Sequence, residues 1–150
     1  YFTEGYSIGN DNPANHPPED GIWRYEGPFV TIEAQYVNWV KSGVYREWTS
    51  GNGKLLVEGY YDNDRKHGVW INYHQSAKDY DNSTGIPSIE YAYINGLRNG
   101  QMKKYYPTGQ LEIEGEFYRE HRVGNWTYYD VDGNVLDSLN CDLIRCNESR

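Results

Sequence analysis

Hydrophobic and polar positions alternate along most of this chain, and the alternation is broken at short intervals by Gly, Asn, Asp and Pro. Stretches such as Val69 to Tyr73, Leu55 to Tyr61, Leu111 to Tyr118 and Asn125 to Tyr129 are rich in β-branched and aromatic residues. A period of two in such segments predicts strands with one buried face. The segments Ser50-Gly51-Asn52-Gly53, Pro107-Thr108-Gly109 and Val131-Asp132-Gly133-Asn134 lie between them and predict tight turns. The pattern is therefore all-β, with successive hairpins forming an elongated antiparallel meander.

The alternation also repeats at longer range. A glutamate, an aromatic three positions later and a glycine seven beyond that recur as Glu33, Tyr36, Gly43; Glu58, Tyr61, Gly68; Glu90, Tyr93, Gly100; and Glu114, Phe117, Gly124. Two positions past each glycine stand Tyr45, Trp70, Met102 and Trp126. Five past it stand Trp48, Tyr73, Tyr105 and Tyr129. The glycines recur after 25, 32 and 24 residues, so the middle period carries an insertion within 74–88. A degenerate leading copy opens at Gly21 with Trp23. A lone hairpin is marginal in water, so stability is expected from neighbouring units packing together. Four matched glutamates read as four copies of one structural device, bonded to local backbone or to a tyrosine hydroxyl. The glycines are expected to permit a backbone turn or a close approach that a Cβ would block.

The segments Gly68-Val69-Trp70-Ile71-Asn72-Tyr73, Tyr93-Ile94-Asn95-Gly96 and Gly124-Asn125-Trp126-Thr127-Tyr128-Tyr129 resemble the MORN repeat family, most closely its bacterial variant. The likeness covers about residues 21–136. It implies the same MORN-like hairpin fold and a scaffolding, membrane-associated or partner-binding role. Many bacterial members carry an antitoxin label. The chain departs from the family pattern in the insertion and at both ends. Residues 1–20, with Asn12-Pro13 and Pro17-Pro18, read as an irregular arm, and residues 137–150 read as a cap over the last open edge.

Composition sharpens the functional reading. The chain has 16 Tyr, 5 Trp and only 3 Phe, and a mean hydropathy of -0.91. Its formal charge of -8 argues against nucleic acid and against an anionic membrane surface. No apolar run is long enough for a transmembrane helix. Cys141 and Cys146, the only cysteines, are expected to close a small disulfide loop. With a first residue that is Tyr1 and not Met, they point to an exported protein; a cytoplasmic location stays open. Asn82, Asn125 and Asn147 head glycosylation sequons.

No catalytic motif emerges. Gly51-Asn52-Gly53-Lys54 lacks the spacing of a phosphate loop. His16, His67, His74 and His121 read as loop histidines without metal spacing, and Asp62, Asn63, Asp64, Asp79 and Asp81 read as acidic turns without an EF-hand pattern. No metal or cofactor is expected, and the chain reads as non-enzymatic. The aromatics exceed what one core row requires, because Trp70 and Tyr73 point to opposite sides, as do Trp126 and Tyr129. Trp48, Tyr73, Tyr105 and Tyr129 are therefore candidate binding residues, together with Tyr80 in the insertion. The expected function is protein–protein recognition by an exported scaffold or assembly subunit, with self-assembly open. An antitoxin or immunity protein is the alternative, and a carbohydrate-binding surface the third reading.

Overall fold

The computed structural model describes residues 19–78, 82–143 and 146. It is one open ten-stranded antiparallel sheet in which every strand pairs with its sequence neighbours. The strands are β1 (Gly21–Glu26), β2 (Val30–Val37), β3 (Val40–Thr49), β4 (Leu55–Asp62), β5 (Arg65–Gln75), β6 (Ser83–Ile94), β7 (Leu97–Tyr105), β8 (Leu111–Tyr118), β9 (His121–Tyr129) and β10 (Val135–Asn140). The all-β hairpin meander read from the sequence is the fold. The repeat glycines lie in the odd strands β3, β5, β7 and β9. The glutamates and their aromatics lie in the even strands β2, β4, β6 and β8.

Each glycine makes an irregularity in its strand. Opposite Glu58 to Tyr60, β5 advances from Ile71 to His67, so the stretch around Gly68 carries two extra residues. The same offset recurs around Gly43, Gly100 and Gly124. At Gly68 and Gly124 the backbone has φ of +71° and +63°, and nothing lies within 4 Å of an added Cβ. At these two positions glycine serves conformation and not close approach, since a left-handed φ costs other L-residues roughly 1–2 kcal/mol.

Two features of the fold were not read from the sequence. The hairpins β2–β3, β4–β5, β6–β7 and β8–β9 close through two-residue turns with positive φ at both centres: Asn38-Trp39, Asn63-Asp64, Asn95-Gly96 and Arg119-Glu120. This is the turn geometry that matches strand twist. The turns also lock one repeat to the preceding one. The amides of Asp64, Gly96 and Glu120 donate to the carbonyls of Lys41, Lys66 and Arg98 at 2.7, 2.8 and 2.9 Å. Second, much of the insertion is sheet. His74 and Gln75 extend β5 and Ser83–Ser88 begin β6. Ser83 is only 2% exposed, and its hydroxyl donates to the Leu55 carbonyl at 2.6 Å. His67 and His121 likewise lie in strands, not in loops, because the odd strands run through the turn-proximal residues before the glycines, and His74 lies in β5 because that strand runs on to Gln75.

The core occupies one face. Trp23, Ala34, Tyr36, Trp70, Met102, Ile113, Phe117 and Trp126 are its buried hydrophobics. Its packing follows a size rule across the strands. Trp70 lies over Gly59 and Trp126 over Gly115, and a Cβ on either glycine would sit 2.2 Å from the indole. Where the residue after the glutamate is Tyr91, its cross-strand partner is the slimmer Met102. Large rings are thus seated where the neighbouring strand leaves a gap, as close packing requires.

Candidate functional site

On the face opposite the core, the four glutamates fall in one line. Following partners from β1 to β10 gives Arg24, Glu33, Arg46, Glu58, Ile71, Glu90, Lys103, Glu114, Thr127 and Ser138. Cations stand between most of the glutamates, so the rung alternates in charge across the sheet. Opposite charges on adjacent strands stabilise a pairing, and like charges would oppose it.

The residues five beyond each glycine line up beside this rung. Trp48, Tyr73, Tyr105 and Tyr129 lie two positions after Arg46, Ile71, Lys103 and Thr127, and so share their face. The Tyr73 hydroxyl donates to Glu58 at 2.6 Å, and the Tyr129 hydroxyl donates to Glu114 at 2.5 Å. Burial, then the charge and hydrogen bond of Glu90, hold the Tyr105 phenol above its ordinary value. Burial and the Glu58 bond raise that of Tyr73 likewise. In these three copies the glutamate therefore orders the tyrosine that follows it. The expectation of a glutamate bonded to a tyrosine hydroxyl describes these contacts.

The first copy differs. Trp48 has no hydroxyl to offer Glu33, and Arg24 donates to that carboxylate at 2.6 Å instead. Trp48 lines an open cleft of about 500 Å³ with Arg24, Glu26, Thr31 and Ser50. Tyr80, the remaining candidate, lies outside the described residues, as do Asp79, Asp81, His16 and Asn147.

Nearer the two-residue turns, the same face carries apolar side chains without cover. Val44 pairs with Tyr60, and Tyr60 with His67. Val69 pairs with Ala92, and Ile94 with Leu97. His67 and Val69 are two apart on β5, and Ala92 and Ile94 two apart on β6, so these pairs join into one path from β3 to β7. Tyr60 is 46% exposed, Val69 54% and Ile94 48%. Exposed apolar residues are ordinary when scattered, but a contiguous set marks an interaction site. None of these residues stood out in the sequence. Their signal was a Val or Ile at an outward position beside a turn, which alternation alone assigns no role.

A further recurring position also escaped the motif. Two residues before each glycine stand Lys41, Lys66, Arg98 and Arg122. They pair across the hairpins with Tyr36, Tyr61, Tyr93 and Phe117. Lys66 lies over Trp70 at 4.4 Å, Arg98 over Phe117 at 4.3 Å and Arg122 over Trp126 at 4.2 Å. A cation on an exposed ring face is favourable by about 0.5–1 kcal/mol, and its stem covers apolar surface. Extending the alignment two residues upstream would have found it.

Residues 98–119 match the family described as a MORN repeat variant. The matched segment runs from one of these cations through Gly100, Met102, Lys103, Tyr105 and Glu114 to Phe117 and its turn. It is one complete copy of the unit. This match supports a MORN-repeat family, and its geometry recurs in the copies on either side. No curated protein matches the chain.

Among the described residues, no group of three or more His, Cys, Asp or Glu side chains is placed to hold a metal ion. Among the same residues, no helix is long and apolar enough to cross a membrane. The cysteines Cys141 and Cys146 are joined as a disulfide.

Proposed function

We propose that this chain is a non-enzymatic protein–protein interaction module, an exported scaffold or assembly subunit that receives its partner on the glutamate face. The observation that carries this reading is the uncovered apolar path Val44–Tyr60–Val69–Ile94–Leu97, bordered by the charged rung. An apolar centre with a polar border is the anatomy of a protein interface. The repeat supplies a rigid platform for it, because the tyrosines beside the rung are tied to the glutamates. The Cys141–Cys146 disulfide supports export, since such bonds persist in oxidising compartments.

The experiment is capture of partners from the native source with the wild-type chain and with Tyr60→Asp and Val69→Asp variants. Both side chains are exposed, so the variants are expected to melt as the parent does while losing the partner. Retention of the same partner by both folded variants would refute the assignment of the face. The carbohydrate reading is favoured by one observation, the Trp48 cleft with its hydroxyl and charged border. Chemical-shift titration with neutral oligosaccharides would support it if the shifts cluster at Trp48 and vanish in Trp48→Ala.

A further inference from the structure

The residues five beyond each glycine stand on alternate strands: Trp48 on β3, Tyr73 on β5, Tyr105 on β7 and Tyr129 on β9. The strands between them bring Leu55, Pro87 and Leu111 into register with Trp48, Tyr73 and Tyr105. The result is a row of rings across the sheet with an apolar residue in each gap. All four rings are half-buried. The hydroxyls of Tyr73, Tyr105 and Tyr129 are spent on Glu58, Glu90 and Glu114. The row therefore offers a ligand ring surface in a fixed orientation and little hydrogen bonding.

Backbone and spacing select the occupant. Strands β3 to β9 each pair on both sides, so their N–H and C=O groups are committed to the sheet. A peptide lying on this face has no strand edge to join. A polyproline II helix needs none: it makes no internal hydrogen bonds, its backbone stays in water, and its prolines carry no N–H. Its prolyl rings dock on aromatic side chains. Alternate strands of a sheet lie roughly 9.4–9.8 Å apart. One turn of polyproline II, three residues, advances about 9.3 Å. Over the intervals from Trp48 to Tyr129 the misfit accumulates to only about 1 Å.

Charge selects further. Glu58, Glu90 and Glu114 recur at the same two-strand interval as the tyrosines, one strand out of step with them. Between Glu58 and Glu90 the rung carries Ile71 and no cation. Beside Glu114 an open cleft of about 270 Å³, lined by Glu116, Asn125 and Thr127 with Lys103, has room for the head of one basic side chain. We infer that Trp48, Tyr73, Tyr105 and Tyr129 form a docking ladder for a basic, proline-rich segment in the polyproline II conformation, one turn of the segment to each repeat. Every third residue of such a segment meets a ring, and the next column of residues faces the glutamates. The ladder lies across the charged rung from the apolar path of Tyr60 and Val69, so the two sites stand or fall separately.

The test is titration of the full chain, read by chemical shifts, with a peptide of four Pro-Pro-Lys triplets. Peptides of four Gly-Ser-Lys and four Pro-Pro-Glu triplets serve as comparisons. The first should bind roughly fivefold or more tightly than either of the others, with shifts running from Trp48 to Tyr129. Tyr105→Ala should weaken it by about fivefold or more, and Tyr105→Phe, which keeps the ring, should not. Tyr60→Asp and Val69→Asp should keep the peptide even where they lose the partner of the apolar path. Equal binding of the Gly-Ser-Lys peptide would overturn the conformational argument, and equal binding of the Pro-Pro-Glu peptide the electrostatic one. Shifts along the row with neutral oligosaccharides but not with the Pro-Pro-Lys peptide would make it a sugar site and overturn the proposal. Should Tyr105→Ala fail to fold, the peptides on the wild-type chain decide the matter.

Discussion

Adding one methyl group at Gly115 places it 2.2 Å from Cδ2 of Trp126 and 2.3 Å from Cε2. Ordinary contact begins near 3.4 Å, so the indole must retreat by about 1.2 Å. It has little room to do so. Trp126 is 0% exposed, Phe117 meets it edge-on at 5.2 Å, and Arg122 covers it at 4.2 Å. Its indole N–H donates to the Val123 carbonyl at 3.2 Å and would be pulled from that bond. Overpacking of this kind costs about 1–3 kcal/mol, and the strained hydrogen bond places Gly115→Ala at the upper end. Trp126→Met alone should cost about 2–4 kcal/mol by opening a cavity. The third repeat couples Tyr91 with Met102, which shows that a methionine tolerates a side chain at the Gly115 position. The double variant should therefore be more stable than the sum of the two losses, by about 1 kcal/mol or more. Urea melts followed by far-UV circular dichroism measure all three variants. A Gly115→Ala protein within about 0.5 kcal/mol of wild type, or strict additivity, would refute the seating of ring over glycine.

Further outcomes follow from the same geometry. Gly68→Val and Gly124→Ala should each lose roughly 1–3 kcal/mol through backbone strain, although no side chain is struck; denaturant midpoints equal to wild type would contradict this. Tyr73→Phe should cost about 1 kcal/mol by leaving Glu58 without its donor, and the same change at Tyr60, whose ring is exposed, should be silent in thermal melts. The phenols of Tyr45, Tyr61, Tyr73 and Tyr93 are all held above the ordinary value of 10.0, first by burial. The unfolded chain therefore loses these protons before the folded one, so stability is full below pH 10.0 and declines as pH rises beyond it. Phenolate absorbance should appear together with loss of circular dichroism, and smooth titration of all tyrosines near pH 10.0 in the folded state would show the opposite.

Much of the architecture was written in the sequence because its determinants are local. Period-two alternation gave strands, and the repeated Glu, aromatic and Gly gave their order. The face of Trp48, Tyr73, Tyr105 and Tyr129 followed from counting parity along each strand. Local pattern cannot express what lies across a strand boundary. That Glu33, Glu58, Glu90 and Glu114 share one rung with Arg46 and Lys103 depends on register, and register depends on the extra residues around each glycine. That Gly59 and Gly115 are seats for Trp70 and Trp126 depends on contacts between partners more than ten residues apart. The insertion illustrates the same division. Its length was visible, but Ser83 becomes strand because Leu55, 28 positions away, offers it a buried carbonyl. Cys141 and Cys146 were read as a small disulfide loop in an exported protein, and they are joined as a disulfide. Only the sheet, by carrying the rung on to Ser138, places Cys141 beside Gly124 and against the cluster of Met102, Ile113, Phe117 and Trp126.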